Sequence, residues 1–213
     1  MGKASELSEA QRRALARLKE LPGLRGFYLA GGSAVAYHLS HRRSNDLDLF
    51  SARGDASIER VADELGQLRG AIVVAQTDAA LKIRLGGVLI DIVRYPYPLL
   101  SKPLTGPQGF PVARLADLAA MKLSAIATRG IRRDFWDLHE ILTRSPLTLG
   151  AVLTAYVERF GVRKADLYHV LRALSYFDDA ERGPLPRGLT KAHWRSIRDY
   201  FSEQAPKALR DRT

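Results

Sequence analysis

Two aspartates, Asp46 and Asp48, flank a single leucine in the run Asn45-Asp46-Leu47-Asp48-Leu49-Phe50. Side chains alternate across a strand, so this spacing sends both carboxylates to one face and Leu47 to the other. Carboxylates held that close repel unless water or a cation sits between them, and a hard divalent ion such as magnesium takes oxygen ligands of this kind. Ahead of them Phe27-Tyr28-Leu29-Ala30 reads as a strand running into Gly31-Gly32-Ser33, where a helix begins. Glycines let the backbone approach a ligand closely, a helix start offers N–H groups, and the Ser33 hydroxyl adds a donor, which together is phosphate-binding chemistry. A third acid, Asp91, stands in Val88-Leu89-Ile90-Asp91-Ile92-Val93. A lone carboxylate in so apolar a strand is costly unless paired or metal-bound. Each signal has a plainer reading alone: a solvated strand end, a turn with Ser33 as N-cap, an edge strand exposing one acid.

The elements that must position these groups are readable in outline. Ser5 to Leu21 has helical spacing of apolar residues and ends at Pro22-Gly23. Strands are expected over Gly26 to Ala30 and Asn45 to Phe50, with helices over Ser33 to Leu39 and Ser57 to Leu68, the last capped by Ser57. Ala71 to Ala75, Leu81 to Leu85 and Val88 to Tyr95 are strand candidates, and Gly86-Gly87 between the last two signals a hairpin. Pro96 to Pro111 holds five prolines and reads as a loop. Beyond it helices are expected over Arg114 to Thr128, Asp134 to Thr143, Leu149 to Phe160, Lys164 to Phe177 and Thr190 to Phe201, with Asp178 to Arg187 a connector. The expected organisation is α+β: a mixed β-sheet with flanking helices over residues 1–110, then an α-helical lobe over 111–213.

Composition narrows the classes. No apolar run is long enough to span a bilayer, and Met1-Gly2-Lys3 leads into an amphipathic segment without a signal-peptide core, so a cytoplasmic protein is expected. Zero cysteines exclude disulfides, thiolate metal sites and a cysteine nucleophile. Lys+Arg 33 against Asp+Glu 23 gives a net charge of +10, which favours an anionic partner such as a nucleotide or nucleic acid.

Taken together, Leu29-Ala30-Gly31-Gly32-Ser33-Ala34, Arg43-Ser44-Asn45-Asp46-Leu47-Asp48-Leu49 and the strand of Asp91 resemble the DNA polymerase β-like nucleotidyltransferases. Within that superfamily the chain is similar to the AbiEii/AbiGii group, toxins of bacterial toxin–antitoxin and phage-abortive-infection systems. Leu118-Ala119-Ala120-Met121-Lys122 and Arg132-Arg133-Asp134-Phe135-Trp136-Asp137-Leu138 extend the likeness, which covers about residues 27 to 143. The resemblance implies transfer of a nucleoside monophosphate from an NTP to a hydroxyl with release of pyrophosphate. Asp46 and Asp48 would hold two magnesium ions, Asp91 would complete the metal set and position or deprotonate the hydroxyl, and Gly31, Gly32 and Ser33 would bind phosphates. It further implies an RNA acceptor, with the tRNA 3′ end a natural candidate, and a cognate antitoxin partner.

The remaining candidates have weaker signals. Lys122 lies mid-helix on an apolar face; it could reach a triphosphate, or its ammonium could snorkel to water. Arg43 and Arg133 could contact phosphate, and Asp134 and Asp137 share a helical face, where Asp134 could equally cap its helix. The histidines, among them His38, His41, His139 and His193, show no metal-ligand spacing of the HxxxH kind. Tyr95-Pro96-Tyr97-Pro98 could stack a base or simply stiffen a loop, and the basic end from Lys207 to Arg212 could contact RNA or fray. A small-molecule nucleotidyltransferase would keep the three acids but carry an acidic pocket for a cationic substrate, against which the basic helical half counts. Other readings are a non-catalytic nucleotide- or RNA-binding module, and acids that merely stabilise the fold by pairing with arginines.

Overall fold

The computed structural model describes residues 7–51, 54, 56–163 and 167–210. They form two compact units, Met1–Arg114 and Leu115–Thr213. In the first unit α1 (Glu9–Leu18) is capped reciprocally: Ser8 accepts from the Gln11 N–H, and the Gln11 side chain accepts from the Ser8 N–H. That box starts the helix at Glu9; Ser5 and Glu6, which the sequence pattern included, lie outside the described residues. β1 (Phe27–Ala30) is buried along its length and passes directly into α2 (Gly31–Leu39). β2 (Leu47–Ser51) and α3 (Ile58–Gly66) follow, α3 capped by Ser57 accepting from the Arg60 N–H.

β3 (Ala71–Gln76), β4 (Ala80–Leu85) and β5 (Val88–Arg94) form an antiparallel set. Gly86 and Gly87 have φ of +57° and +82°, the two positive values that a tight two-residue hairpin turn demands. The stretch read as a loop contains two further strands, β6 (Leu104–Thr105) and β7 (Pro111–Val112). Two-residue strands show no alternation, and prolines masked them. The full order is β3-β4-β5-β2-β1-β7-β6, parallel at β5/β2 and β1/β7 and antiparallel elsewhere. One edge, β3, leaves Ile72, Val73 and Val74 exposed.

The second unit is helical: α4 (Leu115–Thr128), α5 (Arg132–Arg144), α6 (Leu149–Phe160), α7 (Leu167–Leu174), α8 (Asp178–Arg182) and α9 (Lys191–Arg210). α4 packs on α5, α6 and α7, and α9 on α5 and α7. Phe135 centres an aromatic core, its ring 5.3 Å from Phe177, 5.9 Å from Trp194 and 5.7 Å from Phe201. The expected connector after Phe177 holds α8, and α9 continues past Phe201 and through Pro206, so Lys207 to Arg210 are helical rather than frayed. The parts of the expected helices and tail at 164–166 and 211–212 lie outside the described residues. Among the described residues no helix is long and apolar enough to cross a membrane.

Candidate active site

β2 and β5 run parallel in a register that sets Leu47 beside Ile90, Asp48 beside Asp91 and Leu49 beside Ile92. The leucines and isoleucines are buried on one face, while the two aspartates are half-buried on the other. Adjacent strands lie about 4.8 Å apart, so Asp48 and Asp91 are lateral neighbours. β5 is an interior strand, between β4 and β2, which removes the edge-strand account of Asp91. Across the hairpin Lys82 faces Asp91, with Nζ 3.1 Å from Oδ1. Lys82 escaped the sequence reading although its signal was present: counting outward from Gly86-Gly87 pairs Leu85 with Val88 and Lys82 with Asp91.

Asp46 does not lie in β2. It falls at a bend just before the strand, so the single strand face expected for Asp46 and Asp48 holds only for Asp48, which shares it with Phe50. The bend is fixed from α1. Gln11, 1% exposed, donates from Nε2 to the Ser44 carbonyl at 2.9 Å and to the Asp46 carbonyl at 3.5 Å. The Ser44 hydroxyl also donates to the Asp46 carbonyl, at 3.4 Å. Side-chain bonds of this kind take carbonyls that a strand ladder would otherwise use.

Ala30 is the cross-strand partner of Asp48, so α2 starts at the rim of the acid face. Gly31 has φ +59°, and a Cβ there would stand 2.0 Å from Asp48 Oδ2 and 2.5 Å from its Cγ. The Asp48 carboxylate therefore occupies the space that any other residue at 31 would fill. Gly32 and Ser33 are buried in the first helical turn, whose leading N–H groups have no intrahelical acceptor. The N-cap residue is Ala30, not Ser33; the Ser33 hydroxyl donates to the Ala30 carbonyl at 3.2 Å. Arg43 is exposed in the loop before β2. His38 Nε2 lies 2.8 Å from the Ala113 carbonyl, and burial holds its pKa below the ordinary 6.5, outweighing the rise from that bond. Phe50, on the Asp48 face, stacks on Tyr95 at 5.1 Å, and Tyr95 meets the edge of Tyr97 at 4.9 Å.

In the helical unit Lys122 is buried, its Nζ 3.0 Å from Asp134 Oδ1 and 2.8 Å from Asp137 Oδ2. The ammonium thus turns inward to carboxylates instead of snorkelling. Arg129 donates to both Asp134 oxygens, from Nε at 2.9 Å and Nη2 at 3.0 Å, a partner that the sequence pattern did not suggest. Asp134 is not the cap, which is Ile131. Burial raises the Asp134 pKa, but the charges and hydrogen bonds of Lys122 and Arg129 bring it below the ordinary carboxylate value. Arg133 is exposed on the same turn. A second buried pair joins Arg159 to Asp117. α5 and α9 also bring His139, Glu140 and His193 together, their ligand atoms within 4.8 Å of one another, a meeting that histidine spacing in the sequence could not reveal. Glu140 is already engaged there by Trp136 Nε1 at 3.2 Å and Arg144 at 3.3 Å.

A family model matched along nearly the whole chain makes the protein a nucleotidyltransferase. It belongs to the family described as nucleotidyl transferase AbiEii toxin, type IV toxin–antitoxin system, whose model matches residues 13–212. An uncharacterized protein of Aquifex aeolicus (strain VF5) is 29% identical over 209 residues, covering 96% of this chain and 98% of that one. Among solved structures, JHP933 from Helicobacter pylori aligns with a TM-score of 0.47 and 16% identity, over 96% of this chain and 97% of its own. The antibiotic-resistance factor ANT(2″)-Ia aligns with a TM-score of 0.49 and 18% identity, over 74% and 91%.

Proposed function

We propose that the protein moves a nucleoside monophosphate from an NTP to a hydroxyl of RNA, with the tRNA 3′ end as the natural acceptor, in a magnesium-dependent reaction. In this reading it acts in the cytoplasm as the toxin of a toxin–antitoxin or phage-defence system, restrained by a cognate antitoxin. One observation carries the chemistry: Asp48 and Asp91 are register partners on one half-buried sheet face, and Gly31 leaves Asp48 the room of a missing side chain. The donor set fits divalent magnesium, since it consists of hard carboxylate oxygens. Asp46, Asp48 and Asp91 would hold the metal, with Asp46 entering from the bend that Gln11 fixes. Bound magnesium would supply charge neutralisation for the triphosphate and the leaving group.

The chain's own groups supply the rest. The N–H groups of Gly31, Gly32 and Ser33 bind terminal phosphates, the Ser33 hydroxyl exchanging the Ala30 carbonyl for a phosphate oxygen. The acceptor hydroxyl oxygen bonds to the α-phosphorus as the bond from that phosphorus to the bridging oxygen breaks, and pyrophosphate departs. The hydroxyl proton passes to the Asp91 carboxylate, and the adjacent Lys82 ammonium adds a positive charge beside it. Exposed Arg43, in the loop before β2, extends the phosphate contacts.

The test incubates the protein with each radiolabelled NTP, magnesium and total cellular RNA, beside an Asp48→Asn variant. Label in an RNA band that depends on Asp48 supports the reading and names nucleotide and acceptor. Absence of label with every NTP, from folded protein that binds nucleotide, sinks the RNA acceptor and points to a small-molecule acceptor or a binding module.

A further inference from the structure

A groove of about 760 Å³ opens on the helical unit, walled by the end of α4, by α7 and by α9. Its walls carry Arg129, Tyr168, His169, Arg172 and Tyr176. Tyr168 is 55% and Tyr176 49% exposed, and among the described residues these are the large hydrophobic side chains that this unit leaves open. Phe135, Trp136, Trp194 and Phe201 are buried. Exposed rings gathered in one concavity mark an interaction site more often than chance decoration. Their surroundings give the chemistry. The Arg172 guanidinium lies 5.9 Å from the Tyr168 ring centroid, and among the described residues no carboxylate pairs with it. The Arg129 side chain, though bonded to Asp134, is 59% exposed. The carboxylate on the wall, Asp179, is met by Arg182 at 3.0 Å. Aromatic faces interleaved with guanidinium groups recognise unpaired bases and the phosphates that join them.

The geometry points to this groove as the seat of an unpaired segment of the acceptor RNA, with bases stacked on Tyr168 and Tyr176 and phosphates met by Arg172, His169 and Arg129. It rests on the RNA acceptor proposed above and gives that acceptor a place on the chain. An acidic protein partner would use the same cations but has no need of two open ring faces. The +10 net charge of the chain favours a polyanion in either case, so the tyrosines decide between them.

The experiment measures fluorescence anisotropy of a short labelled single-stranded RNA against the full chain at fixed salt. The Tyr168→Ala/Tyr176→Ala variant is expected to bind at least roughly tenfold more weakly. Tyr168→Phe/Tyr176→Phe keeps the rings and should bind as wild type, with thermal melting confirming that both variants fold. Arg172→Ala should weaken binding and flatten its salt dependence, whereas Lys191→Ala, outside the groove wall, should do neither. Unchanged affinity in the double alanine variant overturns the proposal. So does an equal loss from Lys191→Ala, which signifies diffuse charge, or tyrosine-dependent binding of polyglutamate in place of RNA. Labelling by wild type separates the two readings. RNA labelled by a protein whose groove variants bind RNA normally leaves the transferase standing without this groove. Tyrosine-dependent RNA binding without any labelling leaves the groove standing without the transferase.

Discussion

On the sheet, Asp48 and Asp91 stand half-buried and side by side, with Lys82 ion-paired to Asp91; in the helical unit, Asp134 and Asp137 are 0% exposed and locked to Lys122, with Arg129 adding two more bonds. The same side chain stands in opposite surroundings. A carboxylate removed from water is tolerable only when cations from its own chain replace the lost hydration. Such a group is already satisfied and serves the fold. A carboxylate left half in water keeps lone pairs that solvent can yield to an ion, at little cost to stability. Burial, rather than residue type, separates the acids that hold the unit together from those open to chemistry.

Substitutions should pull the two sets apart. Asp48→Asn is expected to lower nucleotide transfer by roughly 10³-fold while the urea midpoint stays near wild type, and Asp134→Asn to shift the midpoint more than Asp48→Asn does. Equal midpoint shifts would erase the distinction. Lys122→Met removes the cation that two buried carboxylates share, although Asp134 keeps Arg129, and should cost about 3–5 kcal/mol of unfolding free energy; a loss under roughly 1 kcal/mol would mean that water reaches the cluster. Gly31→Ala brings a methyl into the Asp48 carboxylate and a left-handed backbone, and should cost about 1–3 kcal/mol. Transfer should fall with it, because Asp48 must move. A fully active Gly31→Ala protein would show that Asp48 does not act from the position seen.

The smallest effect is in acid. The folded Asp134 pKa lies below its ordinary 3.8, so its ionised form stabilises the folded state. That contribution is complete above the ordinary value and is lost as pH falls through the folded one. Urea midpoints measured down through this range should decline less steeply for Asp134→Asn than for wild type. Parallel curves would remove Lys122 and Arg129 as the cause of the shift.

What could be read from the sequence follows the range of the interactions. The strand-to-helix turn at Gly31, the Gly86-Gly87 hairpin and the Ser57 cap are local, and their residues announce them. The meeting of Asp48 with Asp91 follows from two apolar strands choosing faces, and alternation carries that information. The bend at Asp46 was invisible, because the Gln11 amide that fixes it comes from a different helix and nothing about a glutamine in an amphipathic helix says where it points. Lys122 was ambiguous for a similar reason: whether an ammonium reaches water depends on what α5 places above it. β6 and β7 are too short to have a period, and α9 runs through Pro206, a residue that in sequence reads as a helix end.

The hairpin turn also orders events in time. Lys82 and Asp91 are joined through a two-glycine reversal, so they can meet in about 1–10 μs, the time a hairpin needs. Asp48 reaches Asp91 only through a parallel pairing that closes a long crossover containing α3, β3 and β4, a slower search. On that order Asp91 is expected to gain its counter-charge before its acidic neighbour arrives, so that the two carboxylates meet only after one has a cation beside it. Pulsed hydrogen exchange during refolding should find the β4 and β5 amides protected ahead of those in β2; simultaneous protection would mean that the sheet closes as one.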